Sequence, residues 1–203
     1  MMMVMMAIVA FFIGAIPTGY LLVKWKNGTD IRQMGSGNLG ATNVFRVAGK
    51  SLGIWTLILD IAKGYLAVLL GMALVATEAS DPQLKGVLLG VFAILGHVFT
   101  PFLGFKGGKG VATSAGVGLA VYPMPLLLAL FIWFVVLWTS RYMSVASLMG
   151  VTVFVCLIVA GDYSRAHILI SFLIWGFIVW THRQNWKRLW RGEELKLHFG
   201  RKS

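Results

Sequence analysis

Acidic residues are scarce in this chain: 7 Asp and Glu stand against 18 Lys and Arg in 203 residues, and all charged side chains together make up 12%. A soluble domain of this length carries roughly a quarter charged residues, so a separate soluble domain is excluded. The 58% hydrophobic content and mean hydropathy of +0.81 describe one polytopic membrane bundle, with residues 1–203 as a single domain. Cysteine is reduced to Cys156, which excludes an internal disulfide; set in an apolar run, it is read as a packing residue. No basic residue precedes Lys24 and Lys26, which follow the first apolar stretch. That argues against a cleaved signal peptide and for a retained first helix with its N-terminus outside. Internal repeats, low-complexity tracts and linkers are absent as well.

What remains is a net charge of +11. In a soluble chain this excess would suggest nucleic acid. Here the cations cluster between and after apolar segments, so membrane lipids and an anionic substrate are the expected partners, not nucleic acid. Apolar runs lie near 4–23, 52–75, 86–104, 111–138, 144–160 and 166–181. Segment 24–51 holds Lys24, Lys26, Arg32, Arg46 and Lys50 against Asp30. The tail holds Arg183, Lys187, Arg188, Arg191, Lys196, Arg201 and Lys202 against Glu193 and Glu194. Segment 76–85 has Glu78, Asp81 and Lys85, and 161–165 has Asp162 and Arg165. The distribution of Lys and Arg places the first two segments in the cytoplasm and the last two outside.

Run 111–138 is too long for one pass: as a single helix it would measure about 42 Å, against a hydrocarbon core of about 30 Å. It would also leave the basic tail on the wrong side. Tyr122-Pro123-Met124-Pro125 interrupts it, because proline lacks an N–H and disfavours helix before it. Two short helices with a turn at 122–125 give an all-α integral membrane protein: a seven-transmembrane-helix bundle, N-terminus outside and C-terminus cytoplasmic.

Two stretches stand out from this apolar background: Gly35-Ser36-Gly37-Asn38-Leu39-Gly40-Ala41-Thr42-Asn43 and Gly104-Phe105-Lys106-Gly107-Gly108-Lys109-Gly110-Val111-Ala112-Thr113. Both read as loops whose backbone N–H groups turn toward a ligand, with lysine adding positive charge, a combination suited to phosphate. Residues 35–40 fit G-x-G-x-x-G, but no βαβ unit can be built around them, so no dinucleotide is implied. Residues 104–113 miss the P-loop pattern at Leu103 and Gly110, so a nucleotide is unsupported. Ser36, Asn38, Thr42 and Asn43 offer neutral donors and acceptors, and Arg46 a planar cation.

Asp60 and Lys63, three apart within the second run, share a helix face and form a structural ion pair. His97, after Gly96, is read either as a packing group or as part of the site. Thr139-Ser140-Arg141-Tyr142-Met143-Ser144 forms a short turn. His182 and Asn185 share one face at the end of the last run, and Arg188 and Arg191 continue the spacing as a stripe suited to lipid headgroups. Trp180, Trp186 and Trp190 suit an interfacial belt. His167 and His198 are read as bystanders. No metal site and no cofactor are implied, since the histidines are scattered.

Taken together, S-G-N-x-G-A-T-N-x-x-R at 36–46, G-H at 96–97, G-F-K-G-G-K-G-V-A-T at 104–113 and H-R-x-N-x-x-R-L at 182–189 resemble the bacterial acyl-phosphate:glycerol-3-phosphate acyltransferases, the PlsY family. D-x-x-K-G at 60–64 and R-Y-x-S at 141–144 look similar too, and Glu194 best matches the acidic residue that follows the last motif. The methionine-rich start and the tail after 194 lie outside the resemblance. It implies a seven-helix enzyme of the bacterial cytoplasmic (inner) membrane that moves an acyl group from acyl phosphate to the 1-hydroxyl of glycerol 3-phosphate. The products are lysophosphatidic acid and inorganic phosphate, and neither acyl-CoA nor acyl carrier protein is the donor.

On that reading Ser36, Arg46, Lys109, Ser144, His182 and Asn185 carry the reaction. Gly37, Asn38, Gly40, Thr42, Asn43, His97, Gly107, Gly108, Gly110 and Arg141 bind substrate. Arg46, Lys109 and the 107–110 backbone would hold the two phosphates. The resemblance favours the acyl phosphate's own oxygen as base, whereas the sequence alone nominates His182. A monomer is expected. An anion transporter is the rival class, set against a polar content that crowds the cytoplasmic ends.

Overall fold

The computed structural model describes residues 1–75 and 81–197; Glu78, His198, Arg201 and Lys202 lie outside the described residues. Among the described residues ten α-helices form: α1 (Met2–Ala15), α2 (Thr18–Asn27), α3 (Ala41–Ala48), α4 (Lys50–Val75), α5 (Pro82–Val98), α6 (Val111–Val121), α7 (Pro123–Ser140), α8 (Met143–Ala160), α9 (Arg165–Thr181) and α10 (Arg183–Trp190). Short 3-10 turns lie at Ile31–Gln33 and Pro101–Leu103.

Three breaks position the polar residues. Run 4–23 divides at Ile16-Pro17: Ile16 takes an extended ψ of 114°, as a residue before proline prefers, and α2 starts afresh. The expected interruption of 111–138 is narrower than the turn at 122–125 inferred from sequence. Tyr122 alone is non-helical, and Pro123 opens α7, where its missing N–H costs nothing. The third break is at His182, where α9 and α10 meet at 51°.

Segment 24–51 is not all loop. Ala41–Ala48 is helical, so Thr42, Asn43 and Arg46 stand on α3. Val44, Val47 and Ala48 follow helical spacing and pack on Val23, Ile31 and Leu39, which gives this short helix its stability.

The helices divide into two compact units, Met1–Pro123 and Met124–Ser203. In the first, small residues let backbones approach closely: a Cβ on Gly14 would overlap Ala93, one on Gly96 would overlap Phe11, and one on Gly64 would overlap Thr113. These contacts set α1 on α5 and α4 on α6. In the second, Gly150 of α8 sits under Trp133 of α7, and Trp175 Nε1 of α9 donates to Thr152 Oγ1 of α8 at 3.0 Å.

Among the described residues five helical segments are long and apolar enough to cross a membrane, and six if the bent α9–α10 pair is one pass; α6 is shorter. Phe131 and Leu173, 65% and 64% exposed, typify a broad apolar outer surface of the kind lipid covers. Cys156 belongs to that surface. It is exposed on α8, so its expected packing role is corrected.

Candidate functional site

In the first unit the site is built on one buried carboxylate. Asp60 lies about 15 Å along α4 from Lys50. Lys63 Nζ contacts Asp60 Oδ1 at 2.8 Å, and Thr18 Oγ1 donates to the same oxygen at 2.6 Å. His97 Nδ1 stands 3.6 Å away. Lys63 also donates to the Ile16 carbonyl at 3.1 Å, and Thr100 Oγ1 donates to the Ala15 carbonyl at 2.6 Å. At the α1–α2 break the Ile16 carbonyl thus accepts from the Thr18 N–H, at 3.0 Å, as well as from a lysine of α4, and the Ala15 carbonyl accepts from a threonine after α5.

Both glycine-rich segments rest on this cluster. A small pocket is lined by Asp60, Lys63, His97 and Thr100 together with Leu39 of the first segment and Gly108 of the second. A Cβ on Gly19 would overlap the Leu39 carbonyl, and one on Gly108 would overlap the His97 imidazole.

The N–H groups of Gly107 and Gly108, expected to turn toward phosphate, have partners within the fold. The Gly107 N–H donates to the Val98 carbonyl at 2.9 Å and the Gly108 N–H to the His97 carbonyl at 3.1 Å, so both are committed to closing the end of α5. Gly110, at φ +83°, opens α6 with no side-chain cap, and Lys109 flanks it. A helix N-terminus of this kind favours negative charge.

The first segment is likewise organised from within. Asn43, 1% exposed, accepts from the Ser36 N–H at 2.9 Å and donates to the carbonyls of Met34 and Asn38 at 3.0 and 2.9 Å. Asn38 Oδ1 accepts from the Gly40 N–H at 2.8 Å. Gly35 and Gly37 take φ of +58° and +71°, which only glycine adopts cheaply. Asn43 is thus a clamp on the turn, and its amide is not turned to a ligand as expected. Ser36, Thr42 and Arg46 remain half-buried around it.

In the second unit Glu194 is the centre. Its Oε1 accepts from Ser144 Oγ at 2.8 Å and from Asn185 Nδ2 at 2.6 Å; its Oε2 accepts from Arg188 Nε at 2.9 Å. Burial pushes the Glu194 carboxyl up, but the bonds from Asn185, Ser144 and Arg188 prevail and hold it below its ordinary value. His182, 2% exposed, contacts the Ile178 carbonyl through Nδ1 at 2.8 Å. A carbonyl only accepts, so Nδ1 carries the hydrogen and the neutral ring keeps its lone pair on Nε2.

Arg141 is exposed at φ +61°, and its carbonyl accepts from the Leu197 N–H at 2.8 Å. His167 pairs through Nδ1 with Ser164 Oγ at 2.9 Å. Sequence reasoning missed Thr18, Thr100 and the organising role of Glu194; the only signal for the last was its place after the basic stripe. Among the described residues no three His, Cys, Asp or Glu side chains gather as a metal site would require.

The profile of the glycerol-3-phosphate acyltransferase family matches residues 4–192. A glycerol-3-phosphate acyltransferase of Desulforamulus reducens is 45% identical over 194 residues, covering 96% of this chain and 94% of its own. Its counterpart in Staphylococcus saprophyticus is 42% identical over 203 residues, covering 97% and 98%. The crystal structure of PlsY, an integral membrane glycerol 3-phosphate acyltransferase in its glycerol 3-phosphate form, superposes with a TM-score of 0.90 at 33% identity, over 98% of this chain and 96% of that one. Its lysophosphatidic acid form gives 0.86 at 31%, with the same coverage. The chain belongs to the glycerol-3-phosphate acyltransferase family, the PlsY family.

Proposed function

We propose that this protein transfers a fatty acyl group from acyl phosphate to the 1-hydroxyl of glycerol 3-phosphate, at the cytoplasmic face of the bacterial inner membrane. The observation that carries the reading is the state of the family's motif segments. The two glycine-rich segments, residues 141–144 and the turn at His182 lie in ordered polar patches at helix ends, over Asp60 and Lys63 inside α4 in the first unit. Such ends are where a soluble acceptor can meet a lipid-borne donor. Seven passes, with α6 as a short fourth one, an external N-terminus and a cytoplasmic tail complete the reading, which the distribution of Lys and Arg supports. A monomer suffices for it.

In the step itself the glycerol 3-phosphate hydroxyl oxygen attacks the acyl carbonyl carbon, the bond from that carbon to the bridging phosphate oxygen breaks, and the hydroxyl proton passes to a phosphate oxygen. Inorganic phosphate leaves. The protein's task is to hold two anions together and orient the hydroxyl. Lys109, Arg46 and the opening turn of α6 bind phosphate. Ser36, Asn38, Thr42 and Gly37 line the acceptor's path, and Gly40 and Gly110 shape it. Asn43, Gly107 and Gly108 hold these groups in place, with Asp60–Lys63 and His97 beneath. Ser144 and Asn185 are positioned by Glu194, beside Arg141 and His182.

The broken α1–α2 helix beside the buried Asp60–Lys63 pair favours one rival, an anion transporter. Against it, the Lys63 ammonium, the cation at that break, is already bound by Asp60 and the Ile16 carbonyl. Purified protein in detergent, given acyl phosphate and glycerol 3-phosphate, is expected to release phosphate and form the lysolipid without any sealed compartment. No turnover from folded protein would overturn the proposal. His182→Gln then decides the base: a kcat loss within about 10²-fold keeps the substrate phosphate in that role, and a larger loss at unchanged KM assigns it to His182.

A further inference from the structure

α10 has two faces with different chemistry. Asn185 and Arg188 point inward to Glu194, while Arg183, Trp186, Lys187, Trp190 and the adjoining Arg191 are exposed. Trp190 is 93% exposed, and Trp186 and Trp180 are 51% and 47% exposed, so the indoles form a group of exposed aromatics and not a lone one. Arg183 lies over the Trp180 ring at 4.3 Å, so cation and indole already form one unit. No acidic residue occurs between Arg165 and Glu193, and Glu194 is buried and bonded inward. Glu193, exposed two residues beyond Arg191, offsets one charge at most, so Arg183, Lys187 and Arg191 leave the outer face net positive. The 51° bend turns α10 away from the line of α9, so it does not prolong that pass.

We propose that this outer face docks on anionic phospholipid headgroups, with the indoles seated at the level of the glycerol backbone and the three cations on the phosphates. Interleaved tryptophan and cation on one side of a short helix fit that surface and little else. Because the opposite face holds Asn185 and Arg188 against Glu194, the same contact steadies the second polar cluster. Anionic lipid thereby acts on the protein as a ligand, apart from any part it plays as product.

The test uses the full chain reconstituted in mixed phosphatidylcholine–phosphatidylglycerol vesicles in which one lipid or the other carries bromine, a quencher of tryptophan fluorescence. The signal of α10 is the difference between wild type and Trp186→Phe/Trp190→Phe. Brominated phosphatidylglycerol is expected to quench it more strongly than brominated phosphatidylcholine, with the excess falling at high salt. R183Q/K187Q/R191Q is expected to lose at least about fivefold of that preference, the value of one surface cation. Its unfolding midpoint in detergent should stay unchanged, because these side chains are exposed. Equal quenching by the two lipids, or a preference that survives the triple substitution, would overturn the assignment. So would selective capture of an acidic protein with no lipid preference.

Discussion

The two units contain the same chemical device in different settings. In each, one buried carboxylate gathers a hydroxyl, a cation and a third polar side chain: Asp60 with Thr18, Lys63 and His97, and Glu194 with Ser144, Arg188 and Asn185. Asp60 sits inside the helix bundle, and its cation is 6% exposed; Glu194 follows the last helix, and its cation is 29% exposed. The first device is sealed and fixes backbone, because Lys63 also holds the α1–α2 break and His97 underlies Gly108. The second lies nearer water and fixes side chains. Equal chemistry therefore carries unequal energies, since an unpaired charge costs more the less solvent it meets.

The sharpest way to break this comparison is Asp60→Asn. It leaves Lys63 charged and buried, and a loss of about 3–5 kcal/mol in unfolding free energy is expected from thermal unfolding in detergent. Asp60→Asn/Lys63→Met removes both charges and should recover most of it. If the single variant is as stable as wild type, the sealed-device account is wrong.

A smaller effect follows from Asn43→Ala, which deprives the Ser36 N–H and the Met34 and Asn38 carbonyls of partners. It should cost about 1–3 kcal/mol and raise KM for glycerol 3-phosphate more than it lowers kcat, as steady-state kinetics will show.

Glu194→Gln tests the open device. It keeps an acceptor for Ser144 but weakens the Arg188 contact, for a loss of about 1 kcal/mol. It also carries a pH signature. The folded carboxyl titrates below its ordinary 4.5, so its contribution is complete above that value and is lost as pH falls through the lower folded value. The melting temperature of wild type should drop in that acid window, and that of Glu194→Gln should drop less.

The mildest change is Arg141→Gly, which relieves a left-handed residue. A stability change within about 1 kcal/mol of wild type, together with a raised KM, would assign the binding role to the side chain; unchanged KM would leave Arg141 only its backbone contact with Leu197.

Much of this was legible in the chain itself. The apolar runs located the long helices, and Tyr122-Pro123 marked the break between α6 and α7. Pro17 carries the same signal for α1–α2, but the run around it has the length of one uninterrupted pass, which masks the break. The helix over Ala41–Ala48 was hidden because its neighbours are glycines and amides that favour turns, and it forms by packing Val44 on Val23 and Ile31. At the site, Asp60 and Lys63 could be paired from their spacing of three, but Thr18 lies 42 residues from Asp60 and Ser144 lies 50 from Glu194, beyond any local pattern.

Sequence alone determined which segments are apolar enough to be candidate membrane spans, the family to which the chain belongs, and which residue types crowd the loops between them, because each of these depends on local composition and spacing. Tertiary structure decided which of those polar atoms are already bonded within the protein. Gly107, Gly108 and Asn43 carry groups fit to hold phosphate, but α5 and the turn at Met34 claim them first. A hydrogen-bonding group satisfied by its own fold is not available to a ligand, and only the assembled helices determine which groups are left.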